Sequence, residues 1–207
     1  MNVRAEVAVF DFDGTITDGD STTAFCVATV PAPRLAAALA ARGPMLAGYA
    51  LGLVPRTRLK ESLLTAFFRG APEDELRRRA ARWSARDLPR LVRPAAMARL
   101  RWHQSQGHRV VLASAALELL LEPWARAAGI RDVLATRLEV REGRLTGRLD
   151  GPNCWGEEKV VRLRALLGDL GAFELHAYGD SRGDRELLAV SQHAVYRPFR
   201  ERGDAAP

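Results

Sequence analysis

Asp11 and Asp13 are separated by a single residue, and Asp11 directly follows the apolar run Val7–Phe10. On extended backbone, residues two apart share a face, so two ionised carboxylates here repel one another. One reading makes Asp13-Gly14 a turn, for which Asp-Gly is well suited. The other places a divalent cation between the carboxylates. Mg²⁺ fits, because it takes hard oxygen ligands, keeps several waters and is commonly held by one or two carboxylates plus substrate oxygens. Further polar residues fall beside other apolar runs. Ser114 follows Arg109–Ala113, Asp180 follows Glu174–Tyr178 with Asp184 just beyond, and Lys159 opens the helical stretch Glu157–Leu167. Each also has an ordinary reading: Ser114 as a helix cap, Lys159 as an exposed helix residue, Ser181 and Asp184 as turn and cap residues.

Specific elements must carry these residues. Val7–Phe10, Arg109–Ala113 and Glu174–Tyr178 are short, apolar and rich in β-branched or aromatic residues, as strands buried on both faces are. Helical stretches at Ala95–Gln106, Leu117–Ala128, Glu157–Leu167 and Arg185–Val190 alternate with them. Asp132–Ala135, Arg137–Val140 and Arg144–Asp150 read as short strands, with Glu142-Gly143 as a tight hairpin turn. Ala194-Val195 reads as a last strand. Such alternation predicts an α/β fold with a Rossmann-like parallel sheet, whose ligands bind beyond the carboxyl ends of the strands. The helical pattern of residues 18–93 interrupts the alternation and reads as an inserted helical cap. The expected organisation is a catalytic core of 1–17 plus 94–200, a cap of 18–93 and a loose tail of 201–207.

Composition narrows the classes. The 207 residues are 47% hydrophobic and 27% charged, which suits a globular chain and argues against disorder. The net charge of +6 favours anionic ligands. Its arginines are spread out, and the densest run, Arg77–Arg79 with Arg82 and Arg86, reads as one polar helix face. No basic and aromatic residues interleave as in a base-stacking surface, so nucleic acid is not an expected partner. Cys26 and Cys154 form no CxxC pair and suit a reducing cytosol. The first residues lack the long apolar region of a signal peptide, so a cytoplasmic location is expected. Leu35–Val54 is apolar but broken at Arg42–Pro44, which predicts a helical hairpin and no transmembrane span; peripheral membrane contact stays open. No oligomeric state follows from the sequence.

Taken together, FDFDGTIT (Phe10–Thr17), LAS (Leu112–Ser114), Lys159 in GEEKV and GDSRGD (Gly179–Asp184) resemble, in order, the four motifs of the haloacid-dehalogenase-like phosphatase superfamily. The resemblance spans about Val7 to Val195. RLEVREGRLTGRLDG (Arg137–Gly151) and the early helical stretch look like the phosphoserine-phosphatase-like subfamily, with a C1-type cap. GPNCWGEEK with YGDSRGD is similar to a bacterial branch near the phosphatidylglycerophosphate phosphatases. The resemblance implies a Mg²⁺-dependent phosphomonoester hydrolase. In it, Asp11 attacks phosphorus, Asp13 is general acid and base, and Lys159 neutralises charge. Ser114 and Ala115 contact the phosphate, and Asp180 holds Mg²⁺ with Asp11 and the Asp13 carbonyl. Asp184 orients Lys159 or a metal-bound water.

The resemblance also bears on the substrate, expected to be a small phosphate ester. Asp20 falls where the phosphoserine enzymes have a Glu for the substrate amine. Their cap arginine has no counterpart near Ser62–Leu64, with Lys60, Arg56 or Arg58 as substitutes. A lipid phosphate is the alternative, suggested by the apolar stretch Leu35–Leu53, which otherwise reads as a cap core packed on itself. A non-catalytic phosphate- or nucleic-acid-binding module is the alternative of another class, disfavoured by the intact Asp11, Asp13, Lys159 and Asp180. His103, His108, His176 and His193 read as surface residues. Cys154 reads as buried filler and Trp155 as a packing anchor, with a place near the site mouth open to it.

Overall fold

The computed structural model describes residues 4–200. The expected loose tail, 201–207, lies outside them.

The run around Val7–Phe10 forms β1 (Ala5–Phe10), and its last four residues are all buried. Five helices follow: α1 (Ser21–Thr29), α2 (Ala32–Ala41), α3 (Gly43–Ala50), α4 (Arg56–Phe68) and α5 (Glu73–Arg86). The alternating part comprises α6 (Pro94–Ser105), β2 (Arg109–Leu117), α7 (Glu118–Ala127), β3 (Asp132–Thr136), β4 (Leu138–Arg141) and β5 (Arg144–Leu149). It ends with α8 (Glu157–Leu167), β6 (Phe173–Gly179), α9 (Arg185–Ala189) and β7 (His193–Tyr196).

Five of these strands form one sheet in the order β3-β2-β1-β6-β7, and every pairing in it is parallel. The fold is the expected Rossmann-like α/β architecture. Alternation along β1 sends Val7 and Val9 to one face, against Val160, Leu163 and Leu187 of α8 and α9. Ala8 and Phe10 go to the other face, with Leu100 of α6 and Leu120 and Leu121 of α7. Two buried faces explain why β1 has no polar alternation.

The register decides what meets at the sheet's end. Phe10 lies opposite Leu112 of β2 and Tyr178 of β6. The residues just beyond these three strand positions therefore arrive together, and they include Asp11, Ser114 and Asp180. Ser114 departs from its expected place at a strand end. β2 continues to Leu117, and its pairing with β3 shifts between Ser114 and Leu117, so Ser114 sits at an irregularity inside the strand.

The β4–β5 hairpin turns through Glu142 and Gly143, both at positive φ, as expected for this sequence. It also binds the helical insert. Thr65 Oγ1 of α4 donates to the Gly147 carbonyl at 3.0 Å, and Leu149 N donates to Glu61 Oε1 at 2.9 Å. A Cβ on Gly147 would lie 2.4 Å from the Thr65 Cα, which explains why glycine stands there.

Two further expectations fail. His103 is fully buried, donating or accepting at Tyr178 Oη (2.9 Å) and His108 Nδ1 (2.8 Å), because it sits on the inner face of α6 against the sheet. His108 and His176 share Glu6 Oε2, at 3.2 and 2.8 Å, so the histidines form a cluster with only His193 at the surface. The α2–α3 segment is a helical hairpin as expected, yet it is no core packed on itself. Only Ala38 of α2 is buried, and no residue of α3 is.

Candidate active site

The backbone leaves β1 at Asp11 and makes one kinked turn over Phe12–Ile16, in which Gly14 has φ +83°. That turn returns Asp13 beside Asp11 at the end of the sheet. Asp11 is buried, and its Oδ1 lies 2.6 Å from Lys159 Nζ. Lys159 projects from the first turn of α8 and is itself only 2% exposed, which excludes its reading as a surface residue. Its ammonium also meets Asp184 Oδ1 at 2.5 Å. Asp184 Oδ2 accepts from the Asp180 and Ser181 backbone N–H groups and from Ser181 Oγ. Ser181 and Asp184 thus do form a capping box, and the same box aims Asp184 at Lys159.

Burial alone would disfavour the Lys159 charge, but Asp11 and Asp184 outweigh it and hold the lysine protonated. Burial also lifts Asp11 to about 6, with Lys159 pulling the other way. Asp13 is pushed up to about 7 by burial and by the nearby Asp20, against the hydrogen bond its Oδ1 accepts from Ser21 N at 2.9 Å.

Asp180 is held above its usual range by burial and Asp184, while Arg200, 2.7 Å from its Oδ2, opposes the rise. Carboxylate oxygens of Asp11, Asp180 and Asp184 lie within 4.8 Å of one another. Both Asp184 oxygens already have partners, which leaves Asp11 and Asp180 as the side-chain donors for a cation. Two hard oxygens fit Mg²⁺.

Asp11, Asp13, Asp20, Ser114, Ala115, Lys159 and Asp180 all line one pocket of about 270 Å³. Ser114 is buried, and its Oγ accepts from Ala116 N at 3.2 Å, so its helix-cap reading gives way to a turn within β2. Asp20 caps α1 through Thr23 N at 2.7 Å and pairs with Arg56 at 3.7 Å. Lys60 reaches the Ala115 carbonyl and, at 2.8 Å, Asn153 Oδ1. Thr136 Oγ1 donates to the same Asn153 oxygen at 2.9 Å. Asn153 and Thr136 were not singled out by the sequence; Asn153 falls within the GPNCWGEEK segment, which was the available signal. Trp155 lines the pocket, and Cys154 is buried, donating to the Leu134 carbonyl.

A family profile described as haloacid dehalogenase-like hydrolase matches residues 8–189. Protein CicA of Caulobacter vibrioides is 35% identical over 195 residues, covering 94% of this chain and 86% of that protein. A probable phosphatase of Mycobacterium tuberculosis is 37% identical over 101 residues, 47% of this chain and 35% of that one. Among solved structures, a Bordetella pertussis protein of unknown function superposes with a TM-score of 0.75 at 28% identity, over 90% of this chain and 87% of that one. A phosphoserine phosphatase solved as a phospho-aspartyl intermediate analogue gives 0.59 at 16% identity, over 91% and 84%, a likeness of fold. With the profile spanning most of its length, the chain belongs to the haloacid dehalogenase-like hydrolase family.

Proposed function

We propose that this hydrolase is a phosphatase that cleaves phosphomonoesters through an aspartyl phosphate on Asp11. The observation that carries the reading is the buried Lys159, clamped between Asp11 and Asp184 where adjacent parallel strands end. A fixed ammonium beside a carboxylate can hold that carboxylate ionised and neutralise a phosphate brought against it.

In this reading an oxygen of Asp11 attacks phosphorus, and the ester P–O bond breaks. Asp13 gives its proton to the departing oxygen. Water then attacks the phosphoryl group, Asp13 takes the proton, and Asp11 is released with inorganic phosphate. Ser114 and the backbone at Ala115 hold the phosphoryl oxygens, and Asp184 positions Lys159. Asp11, Asp180 and the Asp13 carbonyl would hold Mg²⁺, which supplies charge neutralisation to the phosphate and to Asp11. The residues of 18–93 act as a cap over this core, with Asp20 and Lys60 at the leaving-group side. A small phosphate ester and a lipid phosphate are the two substrate classes that follow from the sequence.

The test is phosphate release from an aryl phosphate with and without EDTA, plus trapping of the phosphoenzyme. Metal-dependent release with label on Asp11, identified after borohydride reduction, is expected. Activity that survives EDTA, or label on Ser114, overturns the mechanism.

A further inference from the structure

A second cavity of about 370 Å³ adjoins the catalytic pocket, and the linings of the two share Asp13, Asp20, Arg56 and Ala115. Beyond that neck the walls are apolar, formed chiefly by Leu35 and Leu39 of α2, Leu59, Leu63 and Phe67 of α4, and Val27 of α1. The polar groups at and beside the neck already have hydrogen-bond partners. Asp13 accepts from Ser21 N, Asp20 accepts from Thr23 N with Arg56 3.7 Å away, and Lys60 donates to the Ala115 carbonyl and Asn153 Oδ1. A zwitterionic leaving group would therefore compete with existing bonds at the neck and meet hydrocarbon beyond it.

Val27, Leu39 and Tyr49 line the chamber and are 60%, 40% and 41% exposed, so its apolar wall reaches solvent. Just after α3, Leu51 and Leu53 are 73% and 76% exposed. An apolar chamber whose lining is partly exposed calls for an apolar occupant. The continuity of the cavity with the phosphate pocket identifies one with a charged end. We infer that the chamber takes the hydrocarbon chain of an amphiphilic phosphomonoester, with its phosphate at Asp11 and its chain running between α1, α2 and α4. The inference rests on the phosphatase reading and adds the chemical class of the leaving group.

The test is kcat/KM for n-alkyl phosphates from methyl to dodecyl, all below their micellar concentrations, with phosphoserine alongside. The expected result is a rise of up to about fourfold per added methylene, levelling once the chamber is full. Octyl phosphate should be a better substrate than phosphoserine. Leu39→Asp, at a half-exposed position that tolerates charge, should flatten the series. A flat or falling series in an enzyme that turns over methyl phosphate and phosphoserine overturns the inference and leaves the phosphatase reading standing. If no ester is hydrolysed, the phosphatase reading fails. Calorimetric titration of octylphosphonate against methylphosphonate then tests the chamber alone, and equal affinities overturn it. Sedimentation showing a dimer that Leu39→Asp dissociates would assign the apolar rim to a second copy and overturn it too.

Discussion

Gly14 and Asp180 occupy one another's space. A Cβ on Gly14 would meet Asp180 Oδ2 at 2.5 Å and its Cγ at 2.8 Å, and the residue's φ of +83° already excludes most side chains. The turn after β1 and the loop after β6 close on each other because this position has no side chain. Gly14→Ala should therefore displace Asp180, one of the two side-chain donors left for a cation. Backbone strain of roughly 1–2 kcal/mol is expected in the melting curve. The larger effect should be a weakening of Mg²⁺ binding by tenfold or more, read by calorimetric titration. Unaltered metal affinity would show that Asp180 does not hold the cation.

Lys159 joins two buried carboxylates, and removing it leaves both uncompensated. Lys159→Met should cost on the order of 3–5 kcal/mol in urea unfolding at neutral pH. Asp184→Asn keeps the side-chain shape and removes one of the stranded charges. The double variant should therefore be more stable than the sum of the two single changes predicts, by about 1 kcal/mol or more. Additive losses would mean that the pair does not interact. Under the proposed mechanism all three variants lose turnover, so stability is the discriminating measurement.

Asp11, Asp13, Ser114 and Asp180 were legible in the sequence because each sits on or next to an apolar strand whose length and composition stand out, whereas Lys159, in the first turn of α8, was legible from the order of the motifs. Sheet order supplied the rest, since β1 lies between β2 and β6 and their ends must converge. What lies across the insert was less legible. Lys60 could be named as a basic residue near the substrate, but its bonds to Ala115 and Asn153 bridge α4, β2 and the loop before α8. No local pattern encodes such separations. The burial of His103 was hidden for a related reason. The apolar residues of α6 give no clear one-sided stripe, and the partners that make a buried imidazole tolerable, Tyr178 and His108, come from other segments.

The histidine cluster predicts how stability depends on pH. Burial pushes His103 down to about 3, with His176, His108 and Arg99 adding to the depression. His176 is also lowered, by burial first, while Glu6 opposes. Tyr178 and Glu6 bear on the cluster from β6 and β1, and His193 stacks on His176 from β7. A histidine neutral in the fold and protonated when unfolded makes the unfolded state bind more protons between the two pKa values. The histidines should thus contribute a rise in stability with pH between about 3 and 6.5, with a slope of up to about 1.4 kcal/mol per pH unit per histidine, while Asp11 and Asp13, raised to about 6 and about 7 in the fold, contribute a fall over about pH 4 to 7. Urea titrations of the wild type and of His103→Gln from pH 4.5 to 8 isolate the histidine part: the stability difference between them should rise with pH up to about 6.5, the variant having the lesser upward contribution. An unchanged slope in that variant would place the uptake elsewhere.

Asp13 lines both the catalytic pocket and the apolar chamber, whereas Asp11 lines only the former. If the chamber holds the leaving group, Asp13 stands on the side from which the ester oxygen departs, where a general acid must be. The need for that acid scales with the basicity of the leaving oxygen. Asp13→Asn should slow formation of the phosphoenzyme from alkyl phosphates by roughly 10²–10⁴-fold. With p-nitrophenyl phosphate, whose leaving group needs little protonation, the same step should be nearly intact. Hydrolysis of the phosphoenzyme is common to both substrates and needs Asp13 as base, so it should be slowed equally for both. The variant should then release one equivalent of nitrophenolate in a burst and accumulate phosphoenzyme, while alkyl phosphates give neither. Rapid-quench measurement with labelled substrates separates the steps. Equal impairment of phosphoenzyme formation from both substrates would remove Asp13 from the role of acid, and a nitrophenolate burst without phosphoenzyme would remove Asp11 from the role of nucleophile.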